Sequence, residues 1–306
     1  MKMRNTAALG ALGLLLAGAG TGYAGTLTTV DDTNAADLAN ALTTGGAGGI
    51  TITAESLSAN TSGGLASAGL FSTVGTNNFG LTGSGIVISN GDAAQDGTTG
   101  PFINGVTTDF GTTATPSQTA LLNQVASAPG GWNDVTEFDV TFVAGANTSQ
   151  VFFNTVFTSA EYPQFVGAFI DGFGLFLNGT NIAFAGGNPV NIDNPLMVNT
   201  VFPTNGGTDG TAFQTTPEQG VLVQNGSAVI TYGGDVVPGS TNTLTFIIAD
   251  ANDHVLDTTA FIQGLGNAPP PIGTPEPSTW AMMLMGFVGL GYFARRKAMK
   301  LRASAA

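Results

Sequence analysis

The stretch that indicates the fold most directly is TEFDVTFV, residues 136–143. Apolar and polar residues alternate along it, and successive side chains of an extended chain point to opposite faces. One face would carry Phe138, Val140 and Phe142, and the other Glu137, Asp139 and Thr141. The stretch therefore predicts a strand with one face in a core and the other turned towards solvent.

Further strands are predicted downstream of this one. Residues 150–158 are rich in Phe and Val and predict a more fully buried strand, and residues 242–249 and 258–263 predict two closing strands. The dipeptides Asn178-Gly179 and Asn225-Gly226 each lie between two apolar runs, a pattern typical of a tight β-hairpin turn.

One short helix is predicted near the N-terminus. Ala35, Leu38, Ala39 and Leu42 have helical spacing, and Gly45 and Gly46 would end the helix. No period of 20–50 residues repeats along the chain. Many short strands, frequent turns and 45 glycines predict an all-β fold, a β-sandwich of jelly-roll type with this single helix.

The distribution of charge limits the possible functions. All seven Lys and Arg residues lie in the first four or the last twelve positions, whereas all but one of the 20 Asp and Glu residues lie between residues 25 and 274. Nucleic-acid binding is excluded on this basis, because phosphate contacts need Lys or Arg. The chain of 306 residues also has no cysteine, which excludes thiol catalysis and cysteine-based zinc sites.

The N-terminus has the pattern of a secretory signal peptide over residues 1–24. Lys2 and Arg4 precede an apolar run at residues 7–19, and small residues lead to Ala24, after which cleavage is predicted. The expected partners of this segment are the Sec translocon and signal peptidase.

The C-terminus has the pattern of a membrane segment. A Pro-rich spacer, residues 267–274, precedes an apolar run over residues 278–294 that is long enough for a short transmembrane helix. The basic tail, residues 295–302, would stay on the cytoplasmic side of the inner membrane. An ordinary tail anchor is one reading of this pattern.

The same residues resemble the PEP-CTERM sorting signal of Gram-negative bacteria. The resemblance rests on Pro275-Glu276-Pro277, the apolar run and the Arg295-Arg296-Lys297 stop, in that order. It implies transient anchoring in the inner membrane, cleavage near Pro-Glu-Pro by an exosortase, and release to the cell surface or the exopolysaccharide matrix of a biofilm.

The stretch FTSAEYPQFVGAFIDGFGLFLNG, residues 157–179, resembles the centre of the choice-of-anchor L domain. Ala160 and Gln164 depart from that pattern, each replacing a common carboxylate. The closing stretch, residues 248–262, resembles the end of the same domain. The resemblance covers about residues 27–265 and implies a surface domain within the predicted domain 25–266, but it implies no reaction.

Acidic residues supply the sharpest candidate site. Carboxylate and amide oxygens in a turn suit Ca²⁺, and no Lys or Arg is available to neutralise them. The candidate ligands are Glu161, Asp171, Asp250, Asn252, Asp253 and Asp257. The spacing is not that of an EF-hand. The alternatives are an Asx-rich turn at residues 250–257, and buried hydrogen-bond acceptors at Glu161 and Asp171.

The predicted function is that of a non-enzymatic exported protein of the cell surface or matrix. A calcium-dependent carbohydrate-binding module is one alternative, with Trp132 and Tyr162 as the aromatic rings that would stack on sugars. A secreted glycoside hydrolase using Glu161 and Asp171 is another. His254 is the single histidine, and no Gly-x-Ser-x-Gly motif supports a catalytic triad with it.

Overall fold

A computed structural model describes residues 26–74, 79–95, 107–199 and 220–271. The predicted signal peptide with Ala24, the transmembrane segment 278–294 and the sorting residues from Pro275 to Lys297 lie outside these ranges. Within them, no helix is long and apolar enough to cross a membrane.

The described residues form 17 strands, two α-helices and one 3₁₀-helix. The first third of the chain contains β1 (Thr26–Asp31), α1 (Ala35–Thr43), β2 (Ile50–Ser58), β3 (Thr61–Ser62), β4 (Leu65–Ala66), β5 (Ala68–Val74), β6 (Ser84–Ser89), the 3₁₀-helix (Ala93–Gln95) and α2 (Pro116–Leu122). The middle contains β7 (Trp132–Ala144), β8 (Gln150–Ser159), β9 (Gly172–Leu177), β10 (Thr180–Asn181), β11 (Phe184–Ala185), β12 (Asn188–Pro189) and β13 (Met197–Asn199). The last part contains β14 (Gly220–Leu222), β15 (Ile230–Asp235), β16 (Thr241–Ala251) and β17 (Thr258–Gly266).

Two antiparallel sheets make up most of the fold. The larger has eight strands in the order β1-β5-β6-β17-β8-β14-β13, with β15 also paired to β8. The smaller has five strands in the order β10-β9-β16-β7-β2. Two short hairpins, β3–β4 and β11–β12, lie apart from the sheets. The all-β prediction is confirmed.

The central strands have the order of a jelly roll. The larger sheet contributes β6-β17-β8-β15, and the smaller contributes β7-β16-β9-β10. The chain crosses from one sheet to the other after β6, β7, β8, β15 and β16, so that strands adjacent in sequence pack face to face rather than side by side. The loops that carry the predicted acidic site connect strands of opposite sheets.

The main core fills the space between the two sheets. Phe246 lies at its centre, stacked on Phe138 at a ring separation of 6.2 Å and edge-on to Phe153 at 5.7 Å. The predicted alternation of β7 is confirmed, because Phe138, Val140 and Phe142 are buried while Glu137, Asp139 and Thr141 are partly exposed. The apolar contacts here need no partner from outside the chain.

The predicted N-terminal helix is confirmed as α1, which buries Leu38, Ala39 and Leu42 against the core. The second helix, α2, was not predicted. It begins with a capping box in which Thr115 and Gln118 exchange side chain–backbone bonds around Pro116. The helix covers the outer face of the smaller sheet, where Trp132 and Phe176 form a separate apolar cluster with it.

The two Asn-Gly turns have different outcomes. Asn178 and Gly179 both have positive φ, at 51° and 80°, and join β9 to β10 as a hairpin. Asn225 and Gly226 form the same turn with φ of 54° and 80°. The flanking strands β14 and β15 nevertheless do not pair with each other, because both bind successive parts of β8. The predicted turn is therefore confirmed, because Gln224 and Ser227 pair across it, but the longer strands on either side do not extend the hairpin.

Candidate functional site

Four carboxyl groups from separate parts of the chain meet at one end of the sandwich. Glu161 follows β8, Asp171 precedes β9, Asp250 lies in β16 and Asp257 precedes β17. The register brings these strand ends together, since Ser159 pairs with Thr258 and Gly172 with Ala249. Their exposed fractions are only 1%, 0%, 3% and 4%, respectively. We call these four residues the acidic cluster.

Asn90, just after β6, joins the acidic cluster to the backbone. Its amide nitrogen donates to Asp171 Oδ2 at 2.9 Å and also to Asp250 Oδ1. Its carbonyl oxygen accepts from the backbone N–H of Thr258 at 2.6 Å, which sets the orientation of the amide. Asn90 is therefore a positioning residue for two carboxyl groups, one before β9 and one in β16. Neither its role nor its proximity was predicted.

Asp171 is the most fully bonded member of the acidic cluster. Besides the Asn90 amide, its Oδ1 accepts from the backbone N–H of Ala251 at 2.9 Å, and its Oδ2 lies 2.8 Å from the Thr258 hydroxyl. That hydroxyl also lies 2.8 Å from Ser159 Oγ. The Asp171 side chain thus holds the end of the smaller sheet to the start of β17, in agreement with the reading of buried acceptors.

Other carboxyl oxygens at this end are buried without a partner. Glu161 Oε2 and Asp257 Oδ2 have no hydrogen bond, and neither does Asp253 Oδ1, on the turn between β16 and β17. The second oxygen of Asp257 accepts from the backbone N–H of Thr108 at 2.9 Å. Buried polar atoms are normally paired, so these three oxygens indicate a missing proton donor or cation.

The carboxyl groups of the acidic cluster all have raised pKa values. Burial, followed by the charges of Asp171 and Asp253, raises the pKa of Glu161 to about 11. Burial raises the pKa of Asp171 to about 7, although hydrogen bonds from the Ala251 N–H and other donors oppose the shift. Burial and the nearby charge of Asp171 raise the pKa of Asp250 well above its ordinary value.

Asp257 behaves in the same way at the edge of the acidic cluster. Burial raises its pKa to about 7, against the bond from the Thr108 N–H. Gly91 lies directly against it, and a β-carbon there would fall 1.9 Å from Asp257 Oδ2. Without a cation, the acidic cluster as a whole would retain protons at neutral pH.

The two remaining predicted ligands lie on the turn between β16 and β17. Asn252 has φ of 79°, its Oδ1 accepts from the Gly130 N–H at 2.7 Å, and its Nδ2 donates to the Ala168 carbonyl at 3.1 Å. Both partners lie more than 80 residues away in sequence, so Asn252 ties the turn to two other parts of the chain and does not bond its own backbone as the Asx-turn reading expected. Asp253 is half-exposed, and its charge acts on Glu161, so its carboxyl lies near the acidic cluster.

A second group of ionisable residues lies nearby and was not predicted. His254 Nδ1 lies 2.9 Å from Asp134 Oδ2 and 3.5 Å from Asp109 Oδ1, and one ligand atom from each residue lies within 4.8 Å of the others. Both oxygens of the buried Asp134 also accept backbone N–H groups, from Thr112 at 2.8 Å and Phe110 at 3.2 Å. The group therefore links the loop around residues 109–112 to the turn between β16 and β17. Its members are too far apart in sequence for their spacing to predict that they meet.

The predicted sugar-binding residues do not form a surface platform. Trp132 is only 2% exposed, and its indole N–H donates to Asn123 Oδ1 at 3.0 Å. The suggestion that it stacks on sugars was wrong, because α2 covers it. Tyr162 is half-buried and packs against the main core and Gly220.

Comparisons with known proteins agree with the architecture. A family model of the choice-of-anchor L domain matches residues 27–266, and a model of the PEP-CTERM protein-sorting motif matches residues 274–297. No curated protein and no solved structure gave a significant match. Since the first model matches most of the chain, this protein belongs to the choice-of-anchor L domain family and carries a C-terminal PEP-CTERM sorting motif.

Proposed function

We propose that this chain is a non-enzymatic structural protein of the cell surface or of the exopolysaccharide matrix of a biofilm. The observation that carries the proposal is the order of its parts: a family domain at residues 27–266 is followed directly by a sorting motif at residues 274–297. The motif supports export and processing by an exosortase, so the sandwich is the part delivered.

The placement of the acidic residues supports a role without catalysis. Hydrolysis of a glycoside needs two carboxyl groups that reach the substrate on either side of the scissile bond. Glu161 and Asp171 are 1% and 0% exposed, and their carboxyl groups are close enough to share a hydrogen bond. A polysaccharide chain cannot fit between them, so they are better suited to holding the fold together.

The composition of the domain supports an extracellular location. Residues 5–294 contain no Lys or Arg, so a chain processed at both ends offers no cleavage site to trypsin-like proteases. The fold also uses no disulfide. Its stability depends on the apolar core between the sheets, which is insensitive to the redox state of the surroundings.

The test is the intact mass of the protein recovered from the surface and medium of the producing cells. We expect a chain that lacks Arg295, Arg296 and Lys297, and accumulation of the uncleaved chain in membranes when Pro275 and Pro277 are both changed to Ala. The matched control changes Pro269 and Pro271 to Ala and leaves processing intact. Surface protein that retains the basic tail would contradict the proposal.

The non-enzymatic part of the proposal needs a separate measurement. We expect no release of reducing sugar from the producer's own exopolysaccharide by the purified protein, and retention of the protein in that matrix during washing. Turnover that disappears in Glu161→Gln would replace this proposal with a glycoside hydrolase.

A further inference from the structure

We propose that the end of the sandwich binds one Ca²⁺ ion between Glu161, Asp253 and the paired carboxyl groups of Asp171 and Asp250. The negative charge of these residues has no counterpart within the domain. Three of these four residues are at least 97% buried, and no Lys or Arg occurs anywhere in residues 5–294 to neutralise them. Buried carboxylates without a cationic partner are strongly unfavourable, and a divalent cation removes that cost.

The unpaired oxygens are a second and independent argument. Glu161 Oε2 and Asp253 Oδ1 are both buried without a hydrogen bond, and the two side chains are close enough for their charges to repel. Asn252 uses both of its side-chain polar atoms in bonds to Gly130 and Ala168, whereas the Glu161 and Asp253 oxygens have no such partner. Unpaired buried acceptors on neighbouring like-charged groups are an arrangement that a bound cation would complete.

Two of the proposed ligands, Asp171 and Asp250, are already held in place by hydrogen bonds. Asn90 and the Ala251 N–H hold Asp171, and Asn90 also holds Asp250, so these carboxyl groups are fixed from the side of the strands. The side towards Glu161 has the unpaired oxygen. Asp253 is half-exposed on the turn, which leaves a route for an ion to enter from solvent. The site therefore has a fixed wall on the side of the strands, and Asp253 is its one partly exposed member.

The donor atoms favour Ca²⁺ over other metals. Every proposed ligand is a carboxylate oxygen, and hard oxygen ligands suit Ca²⁺ and Mg²⁺ rather than zinc or copper. Ca²⁺ tolerates irregular geometry and adds water to reach six to eight ligands, whereas Mg²⁺ needs a compact octahedron.

The test is thermal unfolding of the purified full chain in mild detergent, in EDTA and then in millimolar CaCl₂ or MgCl₂. A ligand at 100 times its dissociation constant should raise the melting temperature of a domain of this size by roughly 5–10 °C. We expect such a shift with CaCl₂ and a smaller one with MgCl₂. The same melting temperature in EDTA and CaCl₂ would overturn the proposal.

Variants locate the ion. Glu161→Gln keeps the size of the side chain and removes one charge, so the CaCl₂ shift should disappear while the EDTA melt remains cooperative. Glu55→Gln, at an exposed position on β2, and Asp109→Ala, in the group around His254, should both keep the full shift. If Glu161→Gln does not fold, the half-exposed Asp253→Asn replaces it. A shift that survives in both Glu161→Gln and Asp253→Asn, or one lost only in Asp109→Ala, would overturn the assignment.

Discussion

The middle of the sandwich and its acidic end are built from opposite kinds of side chain. In the middle, Phe138, Phe153 and Phe246 pack against one another, and every contact is supplied by the chain itself. At the acidic end, the Glu161 and Asp257 carboxyl groups are equally buried but each has an unpaired oxygen. The difference shows that burial alone completes the first region, whereas the second needs a proton or a cation from outside the chain.

The largest effect is expected in the apolar middle. Phe246→Ala should lower the free energy of unfolding by about 3–5 kcal/mol, because it leaves a cavity at the point where two other rings meet. Denaturant unfolding measures this. The matched control is Phe184→Ala, since Phe184 is 44% exposed and should lose far less. Equal losses in the two variants would mean that the middle of the sandwich is not the main source of stability.

Removing the amide that organises the acidic end should have the next largest effect. Asn90→Ala takes the donor from Asp171 and Asp250 and the acceptor from the Thr258 N–H, which should cost about 2–3 kcal/mol. Chemical denaturation in EDTA measures the loss. Asn40→Ala, on the exposed face of α1, is the control and should change stability by less than about 0.5 kcal/mol. An Asn90→Ala loss as small as the control would remove Asn90 from the account.

The raised pKa values of the carboxyl groups at the acidic end should make the stability of the protein in EDTA depend on pH. Unfolded Asp and Glu release protons near pH 4, whereas folded Asp171 and Asp257 hold theirs to about pH 7 and Glu161 to about pH 11. Raising the pH from 5 to 9 therefore favours the unfolded chain, and stability should fall by about 1.4 kcal/mol or more. Urea unfolding at several pH values measures this.

The neighbouring charges that raise these pKa values are those of Asp171 and Asp253 on Glu161 and that of Asp92 on Asp257, all negative, so they strengthen the trend. Glu161→Gln should flatten the fall above neutral pH, because it removes the carboxyl group with the highest pKa. Stability that rises with pH in EDTA would contradict the assignment of these groups as protonated and buried.

The smallest effect is expected at the cap of α2, on the outer face of the smaller sheet. Thr115→Ala removes the capping box and should cost about 1 kcal/mol, which thermal unfolding can resolve. Gln124→Ala, at an exposed position just after the helix, should be nearly neutral. A loss above 3 kcal/mol in Thr115→Ala would show that α2 and the Trp132 cluster are more central than their position on the outer face indicates.

Local patterns were enough to predict the elements of the fold. The alternation in β7, the Phe- and Val-rich β8 and the spacing in α1 each depend on residues that are close in sequence. The helix α2 could also have been predicted, because Thr115-Pro116 followed by Gln118 is a local capping pattern. The pairing of strands could not be predicted in this way. Both β14 and β15 pair with β8, which is distant from them in sequence, and no local turn pattern specifies such a partner.

The acidic residues of the candidate site could be predicted from the sequence, but the residues that form hydrogen bonds with them could not. Glu161, Asp171 and Asp250 are negatively charged residues in a segment that has no Lys or Arg, which made them candidate ligands. One reading of the sequence placed them together across the sandwich. Asn90 and Asp134 carry no such signal, because a single buried amide or carboxylate has no periodic pattern and its partners lie more than 20 residues away. Positioning residues of this kind can be recognised only from the tertiary structure.

The most direct test of the contrast between the two regions is the number of Ca²⁺ ions that the full chain holds at neutral pH, measured by equilibrium dialysis. We expect one ion per chain in the unmodified protein and in Glu55→Gln, and none in Glu161→Gln. No bound Ca²⁺ in the unmodified protein would contradict it, and protons alone would then complete the acidic end.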